Sequence, residues 1–341
     1  RDFCLSRGLG DVYKRQGLGS MRMGDVSEGI NTIHTALDGG VNFLNTADFY
    51  GNGQSEMLIK EALKTRKRED VFISVKFGAM QGVDGRMYGM DARPEAVENY
   101  LRYTLSRLGT DYVDLYQPAR INPHIPVEDT IGAISDLATK GYVKNIGISE
   151  VNGEILRRAN AVHPISLVEV RYSLADRHIE DDLLPTAREL GVGIVAFGVL
   201  LSGLIGGSSQ EEKLKSIGQR ISPEALATMK ANLVRTDALK QIAVEKGATL
   251  AQLAIAWVLA QGEDIIALVG SRTASQIKDT IQALNVKLTK EDLGRIDRIM
   301  PKEEATSSYM LDVDIDSKGL FHAKQLSLIH ISEPTRQAEI S

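Results

Sequence analysis

Two side chains early in the chain, Tyr50 and Lys76, are of types that can pass a proton to a substrate when they lie together. A lysine ammonium beside a phenol favours the phenolate, lowers the tyrosine pKa and makes the hydroxyl a usable acid near neutral pH. The stretch that carries them, residues 41–76, reads VNFLNTADFYGNGQSEMLIKEALKTRKREDVFISVK. It holds an apolar run (41–44), a polar turn with Tyr50 and Gly51, a helix from about Ser55 to Thr65, and a β-branched run (71–75) that ends on Lys76. Strand, loop, helix and strand make a parallel pair with a crossover. Both side chains then project from the carboxyl ends of neighbouring strands, where α/β folds place their chemistry. Residue type and position alone also fit a rim tyrosine and a solvated lysine.

The elements that would position this pair recur along the chain. Short apolar runs at Gly17–Met21, 41–44, 71–75, 112–116, 143–148, 166–170, 192–197 and 265–269 read as strands. Helical spacing lies between them: Ile30, Ile33 and Leu37; the run from Pro94 to Leu108; Val127 to Leu137; Ile155 to Val162; Asp181 to Leu190; and Ile277, Ile281 and Leu284. This alternation predicts an α/β fold, a (β/α)8 TIM barrel in one domain over 17–325, with an extra C-terminal helix at 288–300 packed outside it. A doubly wound sheet is the rival, but no GxGxxG follows the first strand and opens a helix. The Gly- and Met-rich stretch 78–90 is longer than a usual βα connection and is expected to be an irregular loop walling the site. A Gly- and Ser-rich excursion with helical segments fills 198–260.

Composition narrows the function classes. The chain has 341 residues, 43% hydrophobic and 25% charged, with a net charge of −5. That balance gives no reason to expect nucleic-acid or anionic-membrane partners. No membrane span or export signal is read, so the expected location is cytoplasmic. Cys4 is the only cysteine, and the six histidines lack HxxxH or HxH spacing, so no metal site is expected. The ends read differently from the rest. Residues 11–16 (DVYKRQ) can be encoded by a nucleotide string whose reverse complement encodes LSLIHI, the sequence of 326–331, and SEPTR follows at 332–336. Inverted copies of this kind resemble translated sequencing-adapter ends, so 1–16 and 326–341 are expected to be non-native tails, and the native start to be missing.

The motif N-T-A-D-F-Y-G-x-G-x-S-E at 45–56, followed by V-F-I-S-V-K at 71–76, resembles the signature of the aldo-keto reductase family. The resemblance implies a barrel that reduces an aldehyde or ketone to the alcohol with NADPH, using an Asp, Tyr, Lys and His tetrad. By position Tyr50 is the acid, Lys76 its activator, and Asn45 stands where the family has Asp. Asn45 can hydrogen-bond Lys76 but brings no charge, and Asn45→Asp is expected to raise turnover. In D-L-Y-Q-P-A-R (114–120) Ala119 occupies the position of the His, and His124 lies five residues on. The runs Q-P-A-R-I-N-P-H-I-P-V-E and V-E-V-R-Y-S-L are most similar to the pyridoxal reductase branch, which also lacks that His; pyridoxal is therefore the expected substrate.

For the cofactor, the resemblance implies Ser149 and Glu169 at the nicotinamide amide and Tyr172 stacked on its ring, and it counts Met21 among the cofactor-binding residues. It places Gly198, Leu200 and Gly203 under the pyrophosphate. Val269-Gly270-Ser271-Arg272-Thr273 leads into a helix start, a natural anion site, and Arg272 there suits a 2′-phosphate. Gln276, Asp279 and Thr280 fall on the family's R-x-x-E-N positions, where Gln276 in place of the Arg weakens the phosphate clamp. Two other classes compete: an NADPH-binding regulatory subunit with little turnover, suggested by Asn45 and Ala119, and a Schiff-base lyase using Lys76.

Overall fold

The eight runs fold as eight parallel strands because they are short and largely buried on both faces, most with β-branched residues, the pattern of a sheet covered by helices. In the computed structural model, which describes residues 15–21, 23–201, 204–205, 214–215, 223–305, 318 and 320, these strands close on themselves. The barrel strands are β1 (Gln16–Gly19), β2 (Phe43–Ala47), β3 (Phe72–Phe77), β6 (Val113–Pro118), β7 (Val143–Ser149), β8 (Leu167–Arg171), β9 (Gly193–Phe197) and β10 (Ile265–Gly270). They run in the order β1-β2-β3-β6-β7-β8-β9-β10, and β1 pairs with both β2 and β10 to close the ring. The predicted (β/α)8 barrel is thus the observed architecture.

Stretch 78–90 departs from the expected irregular loop. It folds back as a short antiparallel hairpin, β4 (Ala79–Gln81) with β5 (Met87–Met90), standing on the rim directly after β3. The first strand begins at Gln16 rather than Gly17, in register with Ala267. Arg15, just before it, donates through Nη1 to the carbonyls of Leu259 (3.0 Å) and Gly262 (2.7 Å). The remainder of the two tails read as adapter-like, residues 1–14 and 326–341, lies outside the described residues.

The helices are α1 (Val26–Asp38), α2 (Gln54–Leu63), α3 (Pro94–Leu108), α4 (Val127–Thr139), α5 (Gly153–Val162), α6 (Leu183–Leu190), α7 (Pro223–Glu245), α8 (Leu250–Ala260), α9 (Ala274–Ile281) and α10 (Lys290–Ile299). Most bury one apolar stripe on the barrel, whereas α8 is buried nearly all round, as its sequence, apolar but for Gln252, requires. The expected outer helix is α10. It lies on α7, tied by Arg295 to Glu245 (2.6 Å) and by Lys246 to Asp292. Among the described residues no single helix is long and apolar enough to cross a membrane, and no group of three or more potential metal ligands gathers.

Period-2 alternation stacks the barrel interior in layers. The lower layer is apolar: Phe43, Phe72, Leu115, Leu167, Val195, Ile266 and Leu268 pack together, with the Phe43 and Phe72 rings 5.2 Å apart. Two residues further along the same strands come Asn45, Ser74, Gln117 and Glu169, a polar layer. Two further still, Lys76 and Arg171 face the open end. A hydrophobic floor under a polar layer excludes water from below, so charges above it act at lower effective dielectric.

Candidate active site

The polar layer is one hydrogen-bonded unit. Lys76 Nζ donates to Asn45 Oδ1 (2.5 Å) and Glu169 Oε1 (2.9 Å). Asn45 Nδ2 and Gln117 Nε2 donate to Glu169 Oε2 at 2.7 and 2.6 Å. All four residues are almost wholly buried. A buried ion pair is stable only when its remaining donors and acceptors are satisfied, and here the two amides satisfy them. Glu169 therefore does something its sequence position does not suggest: it is the carboxylate partner of Lys76, and three donors occupy most of its about four lone-pair sites.

Tyr50 reaches this cluster from a left-handed turn. It opens a 3-10 turn, Tyr50–Gly53, in which Gly51, Asn52 and Gly53 have φ of 56°, 53° and 90°. A Cβ on Gly53 would come within 2.4 Å of the Arg107 side chain, which is itself ion-paired to the buried Glu56. The next motif residue, Ser55, shares hydrogen bonds of 2.7 Å with Ser20 and Thr46, and Ser20 in turn donates to the Asn45 carbonyl (2.8 Å). The Y-G-x-G-x-S-E motif is thus a bracket that fixes Tyr50 on one side and Asn45 on the other.

Lys76 Nζ lies 5.3 Å from the centre of the Tyr50 ring. The expected direction of the tyrosine shift is overturned. Burial pushes Tyr50 above its usual value, and the opposing pull of the Lys76 charge does not cancel it. Burial also acts to pull Lys76 down, but Glu169 and the Tyr50 hydroxyl outweigh it and hold the ammonium above its ordinary value. Tyr50 is accordingly a protonated phenol beside a fixed cation. Asp48, two residues before Tyr50, is pushed by burial to about 7; its Oδ2 accepts from Gly78 N (3.3 Å) and its Oδ1 is buried without a partner.

Other expected residues divide into two groups. Ser149, at the end of β7, pairs in register with Glu169, and its Oγ is buried with no hydrogen-bond partner. Ser271 Oγ, between Gly270 and Arg272, is likewise buried and unpartnered. Gly270 ends β10 beside Gly19, while Met21 and Arg272 are exposed on the same rim. Gln276 accepts from Arg272 N (2.8 Å) and so shapes the turn before α9, whose N-cap is Thr273. Gly198 (φ 72°) and Leu200 form the tight turn after β9; Gly203 lies outside the described residues.

Two expected contacts are corrected. Tyr172 is fully buried with its ring 5.5 Å from Trp257 and its hydroxyl on Glu180 (2.8 Å), so it packs outside the barrel wall and offers no face to the mouth. Thr280 turns its hydroxyl into the β1–α9 packing, accepting from Gln16 Nε2 (3.2 Å). In place of Tyr172, the aromatic at the mouth is Phe197 at the end of β9, with the Arg171 guanidinium 5.3 Å from its ring. A strand-terminal aromatic in phase with the inward-facing residues was the missed signal. Ala119 is buried, and His124 is exposed in the loop before α4. Arg120 is the cation near the vacancy left by the family's His: Nη1 donates to the Ala119 carbonyl (2.8 Å), Nη2 is 3.5 Å from Glu150, and its charge reaches Tyr50.

A closed parallel barrel with a tyrosine, a lysine and unpartnered hydroxyls gathered at its carboxyl rim has the organisation of a barrel enzyme. The chain belongs to the aldo/keto reductase family, whose model matches residues 16–301. It is 38% identical over 280 residues to a probable aldo-keto reductase of Glycine max, covering 80% of each protein. A thermostable aldo-keto reductase solved with the inhibitor epalrestat is 29% identical with a TM-score of 0.68, over 84% of this chain and 95% of that one. An aldo-keto reductase of Klebsiella pneumoniae, solved with NADPH, shares the fold at 23% identity and a TM-score of 0.67, over 84% and 91% of the two chains.

Proposed function

We propose that the protein is an NADPH-dependent reductase of aldehydes or ketones, with Tyr50 as the acid that protonates the carbonyl oxygen. The observation that carries this reading is the Tyr50 phenol held beside Lys76 over a water-excluding floor. Kept protonated by burial, Tyr50 has its proton available at neutral pH, and the Lys76 ammonium stabilises the negative charge that develops on the phenol as the proton leaves. Arg120 supplies a positive charge on the side where Ala119 offers no donor.

The residues present fit a dinucleotide. Ser149 Oγ and Ser271 Oγ are buried polar atoms awaiting partners, and such atoms are costly unless something satisfies them. Ser149 would bind the nicotinamide amide, Phe197 would lie against the planar ring, and Gly198 and Leu200 would line the pyrophosphate. Gly270, Ser271 and Arg272 before α9, with Gln276 behind them, would hold the adenosine phosphate end, and the exposed Met21 would lie along the cofactor. When bound, NADPH supplies the 4-pro-R hydride.

The Schiff-base reading is disfavoured because a nucleophilic lysine must be neutral, whereas Glu169 holds Lys76 charged. For the substrate, the segments around 117–128 and 168–174 favour pyridoxal, whose electron-poor ring would lessen the need for outside polarisation. The test is NADPH consumption with pyridoxal and a small aldehyde panel, with Tyr50→Phe beside it. Turnover in the parent that falls at least about 100-fold in Y50F is expected, in line with removal of a positioned acid. Tight NADPH binding with no turnover on any carbonyl would instead favour a binding subunit.

A further inference from the structure

We propose that Glu169 is the counter-ion of Lys76, so that the carboxylate this site needs comes from β8 across the barrel rather than from β2 beside it. Asn45 on β2 is in contact with Lys76 yet carries no charge. Glu169 on β8 brings a carboxylate 2.9 Å from the same ammonium. The Asn45 Nδ2 to Glu169 Oε2 bond of 2.7 Å joins the two positions, so one negative charge serves a single lysine and the amide orients it. The same logic assigns Gln117, whose Nε2 lies 2.6 Å from that oxygen, as a second orienting amide. Glu169 is a positioning residue: it acts on the acid Tyr50 through Lys76.

This arrangement is a charge exchange between two positions, and it makes a specific forecast for their substitution. In Asn45→Asp two carboxylate oxygens would stand where a hydrogen bond of 2.7 Å now lies, a contact tenable only with a shared proton. The net charge near Lys76 then barely changes, and turnover does not rise, contrary to what the residue types alone suggest. In Glu169→Gln the ammonium is left buried with no carboxylate, and its pKa falls. In the double variant Asn45→Asp/Glu169→Gln the single negative charge returns, now on β2, within reach of the same Nζ.

The inference rests on the carbonyl-reduction reading only for its kinetic readout, so two measurements are made on the full chain. The first is the pH profile of kcat/KM. In E169Q the basic limb moves to lower pH and kcat falls about tenfold or more, while N45D/E169Q returns both to within about threefold of the parent. The second needs no turnover: the pH dependence of Lys76 reductive methylation by formaldehyde with cyanoborohydride as the hydride donor, read by mass spectrometry. Methylation of Lys76 in E169Q sets in at lower pH than in the parent, and the double variant reverses this. An E169Q protein with unshifted kinetics and unshifted methylation overturns the proposal, as does a double variant no closer to the parent than E169Q. A parent without turnover defeats the reductase reading alone and leaves the methylation comparison to decide on Glu169.

Discussion

At the scale of single residues, the site is governed by how burial and charge divide between neighbours. Tyr50 and Lys76 were legible as a pair from their strand-end positions, but the direction of the Tyr50 shift was not, because sequence shows a neighbour's charge and hides how much solvent has gone. Glu169 lies at the middle of β8 rather than at its end, and its contact with Lys76 is not readable from its motif position. Its closeness to Lys76 is a register fact across the barrel, and 93 residues of chain separate the two. Asp48 offers a test of burial in isolation from catalysis. Its folded pKa of about 7 stands above the usual carboxylate value, so the folded state keeps a proton that the unfolded state releases. The stability this proton confers is complete below about pH 4 and is lost as the pH climbs to about 7. Thermal unfolding followed from pH 4 to 8 is expected to show a fall in the parent that is smaller in Asp48→Asn, by on the order of 2 kcal/mol. Parallel curves for the two proteins would mean that Asp48 is ionised in the fold.

At the scale of elements, the barrel strands were readable because parallel strands buried on both faces are short apolar runs of fixed spacing. The hairpin β4–β5 was not, because its sequence, AMQGVDGRMYGM, has little β-branched content and its pairing depends on the backbone turn at Gly78. Gly78 has φ 95°, and a Cβ there would stand 2.5 Å from the Asp91 carbonyl oxygen, a backbone atom that cannot swing aside. Its own N–H donates to Asp48, and its carbonyl accepts from Asp91 N (2.7 Å). Gly78→Ala is therefore expected to cost about 2 kcal/mol or more, read as a lower denaturant midpoint with an unchanged slope. The facing of Tyr172 shows the other limit of sequence reading. One step along a strand reverses a side chain, and a motif position one residue out of phase assigns a core tyrosine to the mouth.

At the scale of the whole molecule, alternation alone predicts the (β/α)8 closure, while the first strand begins one residue before the expected Gly17. Arg15 and Gln16 were set apart with the adapter-like tail, yet both join the barrel: Gln16 pairs with Ala267, and Arg15 ties β1 to the turn between α8 and β10. A chain beginning at Gly17 is expected to unfold a few degrees below one beginning at Arg15, since the lost pairing and hydrogen bonds are worth on the order of 2 kcal/mol and each kcal/mol shifts the midpoint by roughly 1–2 °C in a protein of this size. Equal midpoints would place the seam's strength elsewhere.

The seam between β1 and β10 also has a meaning for biosynthesis. The strand made first cannot find its second neighbour until the strand made last has left the ribosome, some 250 residues later, which at ~5–20 residues per second is roughly 12–50 s. For that interval β1 can pair only with β2, and its free edge is one that other nascent chains could occupy. Its brevity, four residues with glycine at two of them, makes it a poor template for such pairing. The shortest strand of the barrel is thus placed where the wait is longest.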